Sequence, residues 1–260
     1  MKAILFDLDG VLYVGDQIIE GAVETLRWCN ARAIPHLFVT NTTSKPRSAI
    51  VAKLKALGIS IKEDRILTPP VAAGQWLHEN QLSKLGLFVS DITRREFDSF
   101  TLVDQENEAV DAVVVGDMGE DWSFLTLNRA FRFLMHSPQP RLIALGLTRY
   151  WRAQDGLRLD AGAYVAALQY ASGSEPVVLG KPAEAFYQSA LYKLNVTSDD
   201  IIMIGDDIRG DIGGAQDTGI RGVLVRTGKF RESDLESGIA PYAILNSVAD
   251  LPSWWEKNTH

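Results

Sequence analysis

The chain has 260 residues, of which 46% are hydrophobic, so it can bury one large core or two smaller ones. Its 26 basic and 33 acidic residues give a net charge of −7, which leaves no basic surface for nucleic acid and no polybasic patch for a membrane. No apolar run approaches the roughly 20 residues of a membrane-spanning helix. The single cysteine, Cys29, excludes an internal disulfide and a cysteine-based zinc site. We therefore expect a cytoplasmic protein that binds neither nucleic acid nor membrane.

Short apolar runs alternate with segments of helical periodicity along the first 80 residues. The run AILF predicts a buried strand that ends at Asp7, and HLFVT predicts a second strand. Helices are predicted over residues 22–33, 46–57 and 71–80. This alternation is typical of parallel strands joined by helical crossovers, so it predicts an α/β fold.

The same pattern restarts at Leu85 and predicts a second α/β unit. Its strands are GLFVS, AVDAVVVG and RLIAL, and its helices cover residues 94–100, 124–135 and 161–171. A third stretch, with the apolar runs VVLG, IIMIGD and GVLV, resembles the first more than the middle. We therefore predict a Rossmann-like, doubly wound parallel core made of residues 1–80 and 178–260, with residues 81–177 inserted as a smaller α/β domain.

Polar residues follow four of the predicted strands. They are Asp7 and Asp9 in DLDG, Thr40 and Asn41 in TNTTS, Lys181 in GKP, and Asp206, Asp207 and Asp211 in GDDIRGD. Ligands bind at the carboxyl ends of the strands in an open parallel sheet, so neighbouring strands would bring these carboxylates together. Their mutual repulsion needs a counter-charge, and carboxylate oxygens without His or Cys favour Mg²⁺. The sequence therefore predicts a magnesium site.

The spacing within DLDG indicates the chemistry. Asp7 and Asp9 share a face if the chain stays extended, and Gly10 permits the turn after them. One carboxylate can attack phosphorus while the second protonates the leaving oxygen and later deprotonates water. The metal and Lys181 would stabilise the oxygens of the transferred phosphoryl group. The alternative for each strand-end Asp, and for Asp207 above all, is a helix N-cap.

Four segments, DLDGVLYVGD, LFVTNTTS, GKP and GDDIRGDIGGA, resemble the signature segments of the haloacid dehalogenase (HAD) superfamily, in the same order. The long insertion resembles the larger, C2-type cap domain of its subfamily IIA. Within that subfamily the chain looks most like the phospholysine phosphohistidine inorganic pyrophosphate phosphatases and their relatives. The resemblance implies a Mg²⁺-dependent phosphatase that acts on a small phosphomonoester, phosphoramidate or pyrophosphate through an aspartyl-phosphate intermediate. It also implies a homodimer.

The resemblance implies a role for each strand-end residue. Asp7 would be the nucleophile and a metal ligand, Asp9 the acid/base and a metal ligand through its backbone carbonyl, and Asp206 the third metal ligand. Thr40 and the amide of Asn41 would hold the phosphate, and Lys181 would position nucleophile and phosphate. Asp211 would contact the metal ligands but not the metal itself. Asp207 would contact the metal through water or only cap the next helix.

Three other functions are less consistent with these residues. Carbon–halogen hydrolysis has no leaving oxygen to protonate, so it leaves Asp9 without a task. A phospho-accepting regulatory domain could use the same aspartates and lysine, but the chain length and the inserted domain argue against it. A scaffold with a degenerate site is disfavoured because no predicted core position is visibly degenerate.

Overall fold

The computed structural model describes residues 1–153 and 155–258, and its parallel sheets flanked by helices confirm the predicted α/β fold. The strands are β1 Ala3–Asp7, β2 Tyr13–Val14, β3 Gln17–Ile18, β4 His36–Val39, β5 Ile66–Leu67, β6 Lys84–Phe88, β7 Thr101–Leu102, β8 Ala112–Val115, β9 Arg141–Ala144, β10 Tyr150–Ala153, β11 Gly156–Leu159, β12 Pro176–Val178, β13 Ile201–Gly205, β14 Arg221–Val225 and β15 Ala243–Leu245. The α-helices are α1 Ala22–Ala31, α2 Arg47–Ala56, α3 Pro69–Glu79, α4 Asp91–Arg94, α5 Phe124–Leu134, α6 Ala161–Ser172, α7 Glu184–Leu194, α8 Gly214–Asp217 and α9 Leu251–Asn258. Within the described ranges, no helix has the length and apolar character needed to cross a membrane.

The chain folds into two compact units. The first contains Met1–Thr40, Arg47–Leu67 and Lys181–His260, and the second contains Asn41–Pro46 and Thr68–Gly180. The second unit is thus made from the two segments that interrupt the first along the sequence.

The first unit is built on a six-stranded parallel sheet with the order β15-β14-β13-β1-β4-β5. Every residue of β1, β4 and β13 is buried, as expected for a parallel sheet with both faces covered. Asp7 is aligned with Val39 of β4, and Phe6 is aligned with Ile204 of β13. The carboxyl ends of these three neighbouring strands therefore meet at one end of the sheet.

The larger core of this unit lies between one sheet face and helices α1, α2 and α9. Phe6 and Phe38 stack there with ring centroids 6.0 Å apart, and Trp255 of α9 meets the Trp28 ring of α1 edge-on at 6.2 Å. Each fully buried large apolar side chain stabilises the fold by about 1.5–3 kcal/mol relative to exposure. This packing encloses β1, the strand that ends at Asp7.

The second unit is built on a five-stranded parallel sheet with the order β12-β9-β8-β6-β7. Helices α5 and α6 pack on it and bury Phe88, Phe133 and Val165. The antiparallel hairpin of β10 and β11 comes after β9, with Tyr150 opposite Leu159. This unit therefore has its own sheet and its own hydrophobic core.

Two segments belong to a different unit from the one that the hydrophobic pattern predicts. VVLG is predicted as a core strand, but Pro176–Val178 pair with residues 142–144 of β9, so that prediction is wrong. Residues 68–80, also predicted as core, group with the second unit. The reason is the packing of α3, in which His78 stacks on Phe100 with ring centroids 4.3 Å apart. An apolar run predicts a strand but not the sheet that it joins.

Candidate active site

Three adjacent strands of the first unit bring polar residues to the same end of their sheet. β1 ends on Asp7, β4 is followed by Thr40, and β13 is followed by Asp206. These strands are neighbours in the sheet, as the sequence analysis requires if the residues at their ends are to lie close together. Asp7 is only 7% exposed and Asp206 only 1%. Because a buried carboxylate is costly unless a cation or several donors compensate it, this end of the sheet is a candidate site.

The carboxylates of Asp7, Asp206 and Asp211 form a buried trio whose nearest oxygens lie within 4.8 Å of one another. Asp211 comes from the π-helical segment Ile208–Gly213, just after β13. Lys181 Nζ lies 2.6 Å from Asp7 Oδ1 and 2.6 Å from Asp211 Oδ1. The other nearby cation is Lys229, whose ammonium lies 3.5 Å from Asp207 Oδ2. With Asp207 counted, four carboxylates face two ammonium groups, and a divalent cation would neutralise the negative excess.

Asp206 has one oxygen that the protein satisfies and one that it does not. Its Oδ2 accepts the backbone N–H of Lys229 at 2.6 Å. Its Oδ1 is sealed from solvent and has no hydrogen-bond partner within the described part of the chain. A buried acceptor without a partner costs about 1–3 kcal/mol, so the position of this oxygen fits a metal ligand. Three carboxylates without His or Cys also form the donor set that Mg²⁺ prefers.

Two glycines enclose the Asp206 carboxylate. Gly10 has a φ angle of 87°, and a Cβ atom there would lie only 1.9 Å from Asp206 Oδ2. Gly228 has a φ angle of 66°, and a Cβ atom there would lie 2.0 Å from the same oxygen. The hydroxyl of Thr227 donates to the Gly10 carbonyl at 2.5 Å and joins the two loops. Residues 227–229 are thus site residues to which the sequence pattern assigns no role. The sequence does show a glycine, Gly228, shortly after the apolar strand β14. This glycine indicates a site residue only once β14 is known to lie beside β13 in the sheet.

Burial dominates the electrostatics of the site. It raises the pKa of Asp7 to about 7; Lys181 opposes this shift and Asp211 adds to it. Burial also raises the pKa of Asp206 to about 6, against the lowering effect of the Lys229 N–H. For Lys181, burial lowers the pKa, but the carboxylates of Asp211 and Asp7 outweigh it and hold the pKa above its usual range. Lys181 is therefore a permanent cation, and near neutral pH protons would compete with any metal for the carboxylates of Asp7 and Asp206.

Asp207 and Asp211 hold the loop after β13 in shape. Asp207 Oδ1 accepts the backbone N–H groups of Arg209 at 3.0 Å and Gly210 at 2.8 Å, which is N-cap geometry. Burial acts to raise the pKa of Asp207, but the Gly210 N–H and the Lys229 ammonium lower it below its usual value. Asp211 accepts from Lys181 through Oδ1 and from the Asp207 N–H through Oδ2. Both Asp211 oxygens are therefore occupied by donors of the chain.

The other predicted site residues lie outside the buried trio. Asp9 is exposed, and its backbone forms a bridge with Tyr13. Thr40 is buried directly after β4, and its N–H donates to the Leu67 carbonyl at 3.1 Å. Asn41 belongs to the second unit. The roles of Asp9, Thr40 and Asn41 remain predictions.

Comparison with known proteins shows which family the chain belongs to. Residues 4–102 match the family described as haloacid dehalogenase-like hydrolase, and residues 178–251 match the family described as HAD-hydrolase-like. The phospholysine phosphohistidine inorganic pyrophosphate phosphatase of Homo sapiens is 41% identical over 238 residues, which cover 90% of this chain and 86% of that protein. The haloacid dehalogenase-like hydrolase domain-containing protein 2 of Bos taurus is 38% identical and covers 95% of this chain and 93% of its own.

A solved structure agrees with these relatives. The p-nitrophenyl phosphatase from Archaeoglobus fulgidus superposes with a TM-score of 0.87 at 27% identity, over 97% of this chain and 98% of that one. The resemblance that the four sequence segments indicated is therefore confirmed. The chain belongs to the haloacid dehalogenase-like hydrolases and is a phosphatase.

Proposed function

We propose that this phosphatase depends on Mg²⁺ and passes the phosphoryl group of a small substrate first to Asp7 and then to water. The observation that carries the proposal is the buried trio of Asp7, Asp206 and Asp211, two of which bond to the buried ammonium of Lys181. Capping alone would not require three carboxylates to be buried together. A site for phosphoryl transfer does require them, because it must hold a cation and a nucleophile at the same point.

The two oxygens of Asp7 have different surroundings. Oδ1 accepts from Lys181 at 2.6 Å, whereas no described residue donates to Oδ2. Lys181 therefore fixes the carboxylate, and Oδ2 is the atom available to attack phosphorus. As the new O–P bond forms, the P–O or P–N bond to the leaving group breaks and Asp9 protonates the leaving atom. Asp9 then takes a proton from water, whose oxygen attacks phosphorus, breaks the bond to Asp7 and releases phosphate.

Asp7, Asp206 and the backbone carbonyl of Asp9 would hold the metal. When bound, Mg²⁺ would neutralise charge on the transferred phosphoryl oxygens. The unsatisfied Oδ1 of Asp206 supports this assignment. Asp211, with both oxygens occupied, would act on Lys181 rather than on the metal.

The proposed substrate class rests on the relatives and on the predicted phosphate contacts. The human relative is named for phospholysine, phosphohistidine and inorganic pyrophosphate, and the solved phosphatase is named for p-nitrophenyl phosphate. We propose a small phosphomonoester, phosphoramidate or pyrophosphate, with Thr40 and the amide of Asn41 at its phosphate. The inserted unit would act as a cap that excludes bulk water, in a cytoplasmic homodimer.

The test is hydrolysis of p-nitrophenyl phosphate with and without Mg²⁺. We expect turnover that requires Mg²⁺ and falls by about 10³-fold or more in Asp7→Asn, because the covalent step is lost. Asp200→Asn is the matched control, because Asp200 precedes the opposite end of β13 and pairs there with Lys2. Full activity of Asp7→Asn would refute the covalent mechanism. A single phosphate released per chain would instead indicate a regulatory phospho-acceptor.

A further inference from the structure

A cavity lies in the first unit at the amino end of β4. It consists of two adjoining spaces of about 300 and 360 Å³ that share the lining residues Asn30, His36, Phe38, Ser60 and Ile61. The cavity exists because the edge strand β5 pairs only with Phe38 and Val39 and leaves the first half of β4 without a strand on that side. Its size is in the range of small-molecule sites, about 300–1,000 Å³.

His36 lines this cavity and carries a hydrogen-bond acceptor that no other described residue uses. The residue is 9% exposed, and its Nδ1 donates to the Ile34 carbonyl at 2.9 Å, so in the neutral ring Nε2 is the acceptor. No hydrogen bond from the described residues reaches Nε2. Burial lowers the pKa of His36, so the ring is neutral at pH 7 and keeps this lone pair. The ring stands edge-on to Phe6 and Phe38, with centroid distances of 6.0 and 5.5 Å, and is therefore fixed in orientation.

The wall and the mouth of the cavity differ in character. The apolar side chains of Val23, Leu26 and Ile59 line the wall. Three cations, Arg27, Lys62 and Arg65, and one carboxylate, Asp64, line the mouth. Within the described ranges, neither Arg27 nor Lys62 forms an ion pair with a carboxylate. The cavity is thus apolar in its wall, hydrogen-bond accepting at His36, and positively charged at its mouth.

We propose that this cavity binds a small hydrophobic molecule with a hydroxyl group at its inner end, which donates to His36 Nε2, and a carboxylate at its outer end, which faces the cations at the mouth. An aromatic hydroxy acid is the simplest such ligand. Nε2 is open to water through the cavity, and a ligand hydroxyl that replaces this water favours the hydroxy acid over an analogue without the hydroxyl. The site is independent of the proposed phosphatase chemistry, because His36 is aligned with Ile4, about 10 Å along the strand from Asp7.

The proposal is tested by comparing 4-hydroxyphenylacetate with phenylacetate, which lacks only the hydroxyl. In titrations of the full chain followed by NMR, we expect the hydroxy acid to bind at least about tenfold more tightly and to shift the signals of Phe38 and Ile61. His36→Phe keeps an aromatic ring and removes the acceptor, so the two acids should then bind equally. His78→Phe, a histidine of the second unit, should keep the tenfold difference, and so should Asp7→Asn.

Several outcomes would overturn the proposal. Equal binding of the two acids by the unmodified chain would remove the role of Nε2, without dependence on the folding of any variant. Absence of binding at millimolar concentration would mean that the cavity holds water only. Equal binding of 4-hydroxyphenylacetate and its uncharged amide would refute the charged outer end. Loss of binding together with phosphatase activity in Asp7→Asn would contradict the independence of the two sites, whereas retained binding in the inactive variant would support it.

Discussion

The two units share an architecture but differ in the surroundings of the acidic residues at their strand ends. Each has a parallel sheet whose central strands are apolar and mostly buried. In the first unit the strand ends lead to the buried Asp7 and Asp206. In the second, Asp91 is exposed at the start of α4, and Asp117 accepts the Gly119 N–H at 2.8 Å within a turn. All the buried carboxylates in the described ranges belong to the first unit. Acidic residues thus follow strands in both units. The candidate active site differs because its carboxylates are buried and lack enough hydrogen-bond donors nearby.

The largest expected effect comes from removing Lys181, the buried cation that bonds to two members of the trio. Lys181→Met leaves Asp7 and Asp211 without their shared partner, so we expect the Mg²⁺-free protein to lose about 3–5 kcal/mol of unfolding free energy. Lys2→Met is the control, because Lys2 is 73% exposed and its pair with Asp200 contributes at most about 1 kcal/mol. Denaturant unfolding of both variants measures the difference. Equal losses of unfolding free energy in the two variants would mean that the buried ion pairs of Lys181 contribute no more to stability than the exposed pair of Lys2.

The next effect concerns the glycines around Asp206. The methyl group of Gly228→Ala would lie only 2.0 Å from Asp206 Oδ2, so the Asp206 carboxylate must move. Because Asp206 is a proposed metal ligand, we expect Mg²⁺ affinity to fall by about tenfold or more. Gly238→Ala is the matched control: its φ of 83° gives comparable backbone strain, but no atom lies within 4 Å of the added Cβ. Mg²⁺ titration of activity compares the two. If both variants bind Mg²⁺ equally well, residues 227–229 do not position Asp206.

The smallest effect is the pH dependence of metal stabilisation. The folded chain binds protons at Asp7 and Asp206 with pKa values of about 7 and 6, above the usual 3.8. The metal-free protein therefore loses stability from these groups as the pH rises from about 4 to 7, and Mg²⁺ restores it. We expect Mg²⁺ to raise the Tm more above pH 7 than below pH 6. Equal increases at both pH values would contradict the competition between protons and metal.

Much of the fold was predictable because long apolar runs and helical periodicity are local signals. The strand ending at Asp7 and the helices near residues 22–33 and 161–171 match β1, α1 and α6 closely. The hairpins of β2–β3 and β10–β11 were not predicted. β2 and β3 have only two residues each, and β10 and β11 each include an arginine and form no continuous apolar run. The sheet that Pro176–Val178 join depends on long-range pairing, which no local pattern specifies.

The candidate site was predictable to the extent that its residues end strands. Asp7, Lys181, Asp206 and Asp211 could be named from their motifs, whereas the bond between Asp211 and the Lys181 ammonium depends on the π-helical turn after β13. Thr227 and Gly228 were not assigned because their contacts with Gly10 join segments more than 200 residues apart. Spatial proximity of this kind has no signature in a single sequence.

Acid-quench mass spectrometry tests the central claim most directly. The enzyme is mixed with p-nitrophenyl phosphate and Mg²⁺, quenched during turnover, and digested to locate any phosphoryl adduct. We expect the adduct on Asp7, and we expect Asp117→Asn, a strand-end acid of the second unit, to leave it unchanged. Turnover with no adduct on Asp7, or with the adduct on another residue, would contradict the account.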